Sequence, residues 1–265
     1  MKTKTNSYEA FLDSIDTATE PALESAAKDI VKHFQPSTPV SSRFVPATYL
    51  LDFSTKKYLY VEESCFNVLG YTKQWFMETG VETFLTKWHP VDFDLVNRVI
   101  FPENIAFLKT IPKEVYQDYI FTCNYRVQSP TGEYRTVLQR SSYIPGKDKT
   151  PAGVIGVAFD ISHFKSDLSI IHTIEKVENT CDGLAHHLVY KKTHPVYPNQ
   201  EQKLTRREND ILKLLAEGYN SKEIASKLYL SLYTVNNHRK NILNKTNCKC
   251  STALINYAIK NGLVS

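Results

Sequence analysis

Along the 265 residues the spacing of apolar positions changes character several times. Phe11, Leu12, Ile15, Leu23, Ala26, Ala27, Ile30, Val31 and Phe34 recur at helical intervals broken by Pro21. This predicts an N-terminal helical segment over residues 1–40 that either packs on the neighbouring sheet or pairs with a second chain. From residue 44 to 165 the pattern is that of a mixed domain. Tyr49–Asp52 and Tyr58–Val61 read as strands about a Ser54–Lys57 turn, and helices and loops follow. Tyr119–Gln128 then alternates, with Phe121, Cys123, Tyr125 and Val127 on one side. The alternation breaks at Ser129-Pro130-Thr131-Gly132, where proline presets the first bend and glycine accepts positive φ. It resumes from Tyr134 to Tyr143, and Gly153–Ile161 supplies a last apolar strand.

Residues 166–200 form an extension and a linker. Ile170, Ile171, Thr173, Ile174 and Val177 are rich in β-branched side chains, and His187–Lys191 is strand-like beyond the Asp182-Gly183 turn, which predicts a hairpin. Leu168, Ile171, Ile174 and Val177 also approximate a helical stripe, so a signalling helix is the alternative. The run from His194 through Pro195 and Pro198 to Gln200 reads as a semi-rigid linker.

Residues 201–265 return to the helical period. Thr205 and Glu208 form a capping box ahead of Ile211, Leu212, Leu214, Leu215 and Ala216, and Gly218 supplies a left-handed stop. Asn220, boxed by Glu223, opens a second helix carrying Ile224, Ala225 and Leu228. Ser231 caps a third, from about Leu232 to Lys245, with Val235, His238 and Ile242 inward and Tyr233, Asn236, Asn237, Lys240 and Asn244 outward.

Composition places the chain among ordinary globular proteins: 42% hydrophobic and 23% charged, with nine glycines and twelve prolines. No run approaches the ~18 to 20 apolar residues that span a bilayer, and the Met1-Lys2-Thr3-Lys4 start leads to no apolar signal core. The expected location is the cytoplasm, with no membrane partner. Five cysteines, an odd number in a long chain, fit a reducing interior better than a disulfide framework. The net charge of +4 hides an asymmetry. Residues 201–265 hold eleven Lys and Arg against five Asp and Glu, so they carry +6, and residues 1–200 carry −2. A compact basic segment on a mildly acidic body is a footprint of nucleic-acid binding, and equally of a solvated basic surface.

Two short helices joined by a tight turn, the second apolar on one face and rich in Asn and Lys on the other, are the geometry of a helix-turn-helix. Asn can bond adenine bidentately in the major groove, and Lys and Arg can meet phosphate or guanine. Leu204-Thr205-x-Arg207-Glu208, Leu214-Leu215-Ala216-x-Gly218, Ser221-Lys222-Glu223-Ile224-Ala225, Leu228-x-Leu230-Ser231, Thr234-Val235-x-x-His238 and Asn241-Ile242-x-x-Lys245 resemble the LuxR-type DNA-binding domain of bacterial transcription regulators. The resemblance implies an all-α four-helix domain whose third helix enters the major groove. Its fourth helix, here about Thr252 to Asn261, serves dimerisation. It implies DNA contacts from Thr234, Asn236, Asn237, His238, Arg239, Lys240 and Lys245, to which the helix faces add Lys222, Tyr233 and Asn244. Asn236 stands where lysine is frequent, and Ser251-Thr252 where an arginine often follows. Cys248-x-Cys250 lacks a second ligand pair, so no zinc site is read there.

In the middle domain, Asn67-Val68-Leu69-Gly70-Tyr71, His89-Pro90-x-Asp92, Tyr125-Arg126-Val127, Gly132-Glu133-Tyr134-Arg135 and Gly156-Val157-Ala158-Phe159-Asp160-Ile161 resemble the signposts of a PAS domain. The fold class is then α+β: a five-stranded antiparallel PAS-like sheet with flanking helices, plus the helix-turn-helix domain. The concave face of such a sheet holds either a small ligand or only its own side chains. Trp75, Phe76, Trp88, Phe121, Cys123 and Tyr125 are the candidate lining. Cys65-Phe66-Asn67 does not supply the Asn-Cys-Arg-Phe-Leu type of motif of the photoreactive flavin subfamily, so that flavin is not expected. His89 within His-Pro-x-Asp reads as a turn and cap rather than a haem ligand. No phosphate-cradling loop, nucleophile elbow or paired metal motif is present in the sequence, which argues against an enzyme.

The reading that follows is a one-component transcription regulator. It binds double-stranded DNA as a homodimer under control of a PAS sensor, whose pocket holds either a small-molecule ligand or only its own side chains, and RNA polymerase is a further partner this allows. The alternative is a PAS-based protein-interaction adaptor with secondary DNA binding.

Overall fold

The computed structural model describes residues 7–12, 14, 23, 25, 46–147, 150–165, 167–181, 183–196 and 204–264. The chain divides into two compact units, one of Met1–Phe164 with Ile171–Lys192, the other of Lys165–Ile170 with Thr193–Ser265.

The first unit is an antiparallel sheet with helices on one face. Its strands are β1 (Ala47–Asp52), β2 (Lys57–Val61), β3 (Tyr119–Gln128), β4 (Tyr134–Pro145), β5 (Pro151–Asp160), β6 (Ile170–Thr180) and β7 (Gly183–His194). They lie in the order β2-β1-β5-β4-β3-β6-β7. The Asp52 carboxylate closes the β1–β2 turn by accepting from Ser54 N–H at 2.8 Å and Thr55 Oγ1 at 2.9 Å. At the β3–β4 turn Gly132 N–H donates to the Ser129 carbonyl at 2.9 Å, with Gly132 at φ 90°. That turn sets the register from Phe121 opposite Ser141 to Gln128 opposite Tyr134.

The first five strands give the five-stranded sheet implied by the sequence, and the hairpin β6–β7 lengthens it to seven. The helical alternative for this segment does not occur. Ile120–Cys123 ladder with His172–Glu175, so the backbone groups of β6 go into the sheet, where β-branched residues fit the pleat.

Between β2 and β3 run α2 (Cys65–Leu69), α3 (Lys73–Leu85), α4 (Pro90–Leu95) and α5 (Phe101–Thr110), with the preceding N-terminal helix α1 at Tyr8–Leu12. Thr72 caps α3 by accepting from Trp75 N–H. Gly80 kinks α3 with φ 73° and ψ −176°, a conformation essentially restricted to glycine, and lets Val81 N–H reach the Lys56 carbonyl at 3.1 Å. Tyr8 and Phe11 pack their rings on Phe53 and Phe101, so α1 lies on this unit's own core. The rest of the expected N-terminal helical segment, Ser7, Ser14, Leu23 and Ser25 apart, falls outside the described residues.

The second unit is a bundle of α6 (Arg206–Ala216), α7 (Ser221–Lys227), α8 (Leu232–Thr246) and α9 (Ser251–Lys260). Both expected capping boxes are formed, Thr205 with Glu208 and Asn220 with Glu223. Ser231 caps α8 through Thr234 N–H at 3.0 Å. Ile211, Leu212, Ile224, Val235, Ile242, Leu254 and Ala258 fill the core and leave the opposite helix faces to solvent. Leu168 N–H donates to the Lys260 carbonyl, and Val196 N–H to that of Asn261 at 3.3 Å. Val196, expected in the linker, is thereby buried in this unit, and residues 197–203 lie outside those described.

Candidate nucleic-acid interface and internal cavity

The turn between α7 and α8 is short because Leu228, Tyr229 and Leu230 reverse the chain in three residues. Leu230 N–H returns to the Ala225 carbonyl at 2.9 Å, and Arg207 Nη2 donates to the Leu228 carbonyl at 2.7 Å. Tyr229 adopts φ 54° with its side chain exposed. Val235, Ile242 and Thr246 are buried along α8, whereas Tyr233, Asn236, Asn237, Lys240 and Asn244 all lie open to water. Lys222 is exposed in the first turn of α7. Thr234 is half-buried against the Ser231 cap, and His238 is half-buried at the margin of the face.

Two of the expected contacts are engaged elsewhere. Arg239 donates to the Ser221 hydroxyl at the start of α7 and, at 2.9 Å, to that of Ser251 at the start of α9, tying three helices together. Lys245 donates at 2.7 Å to Oε2 of the nearly buried Glu208. Burial pushes the Glu208 carboxyl up, but the Lys245 ammonium and the Thr205 donors outweigh it and hold the group below its ordinary value. The LuxR-type resemblance implied DNA contacts from both cations, and neither it nor helical spacing registers a partner on another helix. Nor did they single out Leu232, exposed in the first turn of α8, or Lys227, which lies over the Tyr219 ring at 4.2 Å.

The first unit encloses a cavity of about 110 Å³ between its sheet and helices. Phe76, Trp88, Phe121, Cys123 and Tyr125 are among the residues that line it, with Tyr8, Tyr49, Tyr58 and Tyr143. Trp75 instead stacks on Tyr71 at 4.2 Å. Trp88 stacks on Tyr125 at 3.6 Å, and its indole N–H has no hydrogen-bond partner among the described residues. Burial raises the phenols of Tyr8, Tyr49, Tyr58, Tyr125 and Tyr143, so each is neutral at physiological pH. Burial likewise pushes the Cys123 thiol up to about 12. At one end the Asn104 amide donates to the Tyr143 hydroxyl at 3.3 Å and meets His172 Nε2 at 2.7 Å.

His89 caps α4, its Nδ1 accepting from Val91 N–H at 3.3 Å and facing Arg126 Nη2 at 3.2 Å. Burial, and then the Arg126 charge, hold its pKa below the ordinary value against the opposing pull of Asp92. Asp92 is itself buried and accepts from Arg126 at the backbone N–H, Nε and Nη2, at 2.8, 2.9 and 2.6 Å. The His-Pro-x-Asp signpost thus serves to fasten α4 to β3.

Residues 202–258 match the sequence model of bacterial regulatory proteins of the luxR family, and residues 58–158 match that of the PAS fold. Among curated proteins, the oxygen regulatory protein NreC of Staphylococcus carnosus is 46% identical over 61 residues, 23% of this chain and 28% of that protein. The NreC of Staphylococcus epidermidis is 44% identical over the same shares. The chain therefore spans little more than a quarter of the length of these relatives. A solved Vibrio cholerae VqmA dimer, described as a LuxR-type receptor, is 14% identical with a TM-score of 0.32, covering 84% of this chain and 86% of that one. The N-terminal domain of a Marinobacter aquaeolei diguanylate cyclase with a PAS/PAC sensor is 20% identical with a TM-score of 0.33, covering 44% of this chain and 94% of that one.

Proposed function

Because the chain joins a PAS fold over residues 58–158 to a luxR-family regulatory domain over residues 202–258, we propose that it is a one-component transcription regulator. A sensor at residues 44–165, extended by the 166–200 hairpin and linker, controls DNA binding by residues 201–265 in the cytoplasm. The observation that carries this reading is α8 itself. One face is buried against the bundle, and the other offers Tyr233, Asn236, Asn237, Lys240 and Asn244 to solvent.

Asn236 and Asn237 read base edges, Lys240 and Lys222 meet phosphates, and Thr234 and His238 flank them. Arg239 and Lys245, drawn into the bundle, act as positioning residues that hold α8 against α6, α7 and α9. The chain works as a homodimer on two half-sites, with RNA polymerase as the downstream partner and no catalytic step of its own.

The cavity takes a small neutral molecule. Its walls are aromatic, its phenols are neutral, and no Lys, Arg, Asp or Glu is among its described lining residues. A volume of about 110 Å³ is several times the ~10–15 Å³ that one water requires. The Trp88 indole N–H supplies a donor for such a ligand.

The DNA roles are tested by fluorescence anisotropy of the full chain on a random-sequence duplex across a salt series. Lys240→Ala is expected to weaken binding and lower the slope of log affinity against log salt by about one. An unchanged slope would remove Lys240 from the phosphate contacts.

A further inference from the structure

We propose that β7 is a homodimer interface: its free edge pairs antiparallel with β7 of a second copy, joining two seven-stranded sheets into one. This rests on the homodimer reading above and names the surface that makes it.

The two edges of the sheet are built differently. β2 is five residues long and buried or half-buried except at Lys57. β7 is twelve residues long and, among the described residues, neighbours only β6. Folded proteins blunt an open edge with shortness, charge, proline or a bulge. From Gly183 to Tyr190 β7 holds no Asp, Glu, Lys, Arg or Pro. It instead exposes Leu184 at 66%, Leu188 at 60% and Val189 at 49%. An unpaired ladder beside three exposed aliphatic side chains is a surface prepared for another strand.

The sequence of β7 is also complementary to itself. Antiparallel pairing about Leu188 sets Leu188 against its own copy, His186 against Tyr190, Leu184 against Lys192 and Ala185 against Lys191. No two like charges stand opposite each other, and the Lys192 ammonium is already held by Glu103 Oε1 at 2.7 Å. Leu184, His186, Leu188 and Tyr190 share one face of the strand, so the aliphatic and ring pairs stack on the same side of the joined sheet.

The rival interface is the fourth helix, α9, which the LuxR-type resemblance assigns to dimerisation and on which Ile259 is exposed. Sedimentation equilibrium of the full chain separates the two. Leu188→Lys is expected to raise the dimer dissociation constant at least tenfold, and Ile259→Lys to leave it within threefold. A wild-type chain that stays monomeric overturns both the interface and the homodimer reading. A wild-type dimer insensitive to Leu188→Lys overturns the interface alone.

The register is read independently of that variant's folding by Leu188→Cys in a Cys181→Ser, Cys250→Ser background, oxidised with copper phenanthroline. Position 188 is expected to cross-link to its own copy, since directly opposed residues lie within disulfide reach. Leu184→Cys, separated from its copy by ~27 Å in this register, is expected not to. Equal cross-linking at the two positions, or none at 188, contradicts the pairing.

Discussion

Among the charged groups of α8, Arg239 and Lys245 bond to neighbouring helices, whereas Lys240 faces water. Substitution should therefore sort them by readout. Lys245→Ala leaves the nearly buried Glu208 carboxylate without its ammonium and should cost the bundle about 1–3 kcal/mol, measured as a lower urea midpoint at unchanged m. Lys240→Ala should change the bundle's stability by less than about 0.5 kcal/mol while weakening DNA binding. The cysteines divide in the same way. Cys123, half-buried on the cavity wall and held as a thiol, should react with iodoacetamide more slowly at pH 7.5 than exposed Cys181 and Cys250; mass spectrometry of the intact folded chain reads the difference. At this scale the sequence was legible in polarity and not in partnership. Helical spacing identified Tyr233, Asn237, Lys240 and Asn244 as outward, but a hydrogen bond from Arg239 to Ser221 depends on how helices cross. Trp75 shows the same dependence on tertiary contact, since its ring stacks on Tyr71.

Elements were easiest to read where their ends are written in local chemistry. Thr205 with Glu208, Asn220 with Glu223, and Ser231 each satisfy amides that helix starts leave free, and all three helices begin where those residues stand. The hairpin β6–β7 was harder because its apolar residues fit two periods, and the choice fell to β3, a partner distant in sequence. Gly80→Ala forces a Cβ into a left-handed kink 3.1 Å from the Lys56 carbonyl and should destabilise the first unit by about 1–3 kcal/mol, read from its urea transition. His89 caps α4 in its neutral form. A base whose folded pKa is depressed contributes stability that is whole above the unfolded value near 6.5 and is lost as pH falls through the folded value. Melting temperature should accordingly drop on acidification from pH 7.5 to 5, and His89→Asn, a cap that does not titrate, should flatten that dependence.

For the molecule as a whole, the division of charge into +6 on residues 201–265 and −2 on the remainder aligns with the division of labour proposed here. In that proposal the basic part presents α8 to a polyanion, and the other part surrounds a cavity with no Lys, Arg, Asp or Glu among its described lining residues. Neither the cavity nor the open β7 edge could be read from periodicity, because a void and a free strand edge depend on which side chains fail to meet. The central claim is sequence-specific DNA reading by α8, and affinity selection of a random duplex library by the full chain tests it most directly. Two inverted half-sites about one helical turn apart, 10 to 10.5 base pairs centre to centre, should be enriched, and Asn237→Ala should relax base preference within each half-site. Absence of any enriched motif, or an identical motif selected by Asn237→Ala, would contradict it.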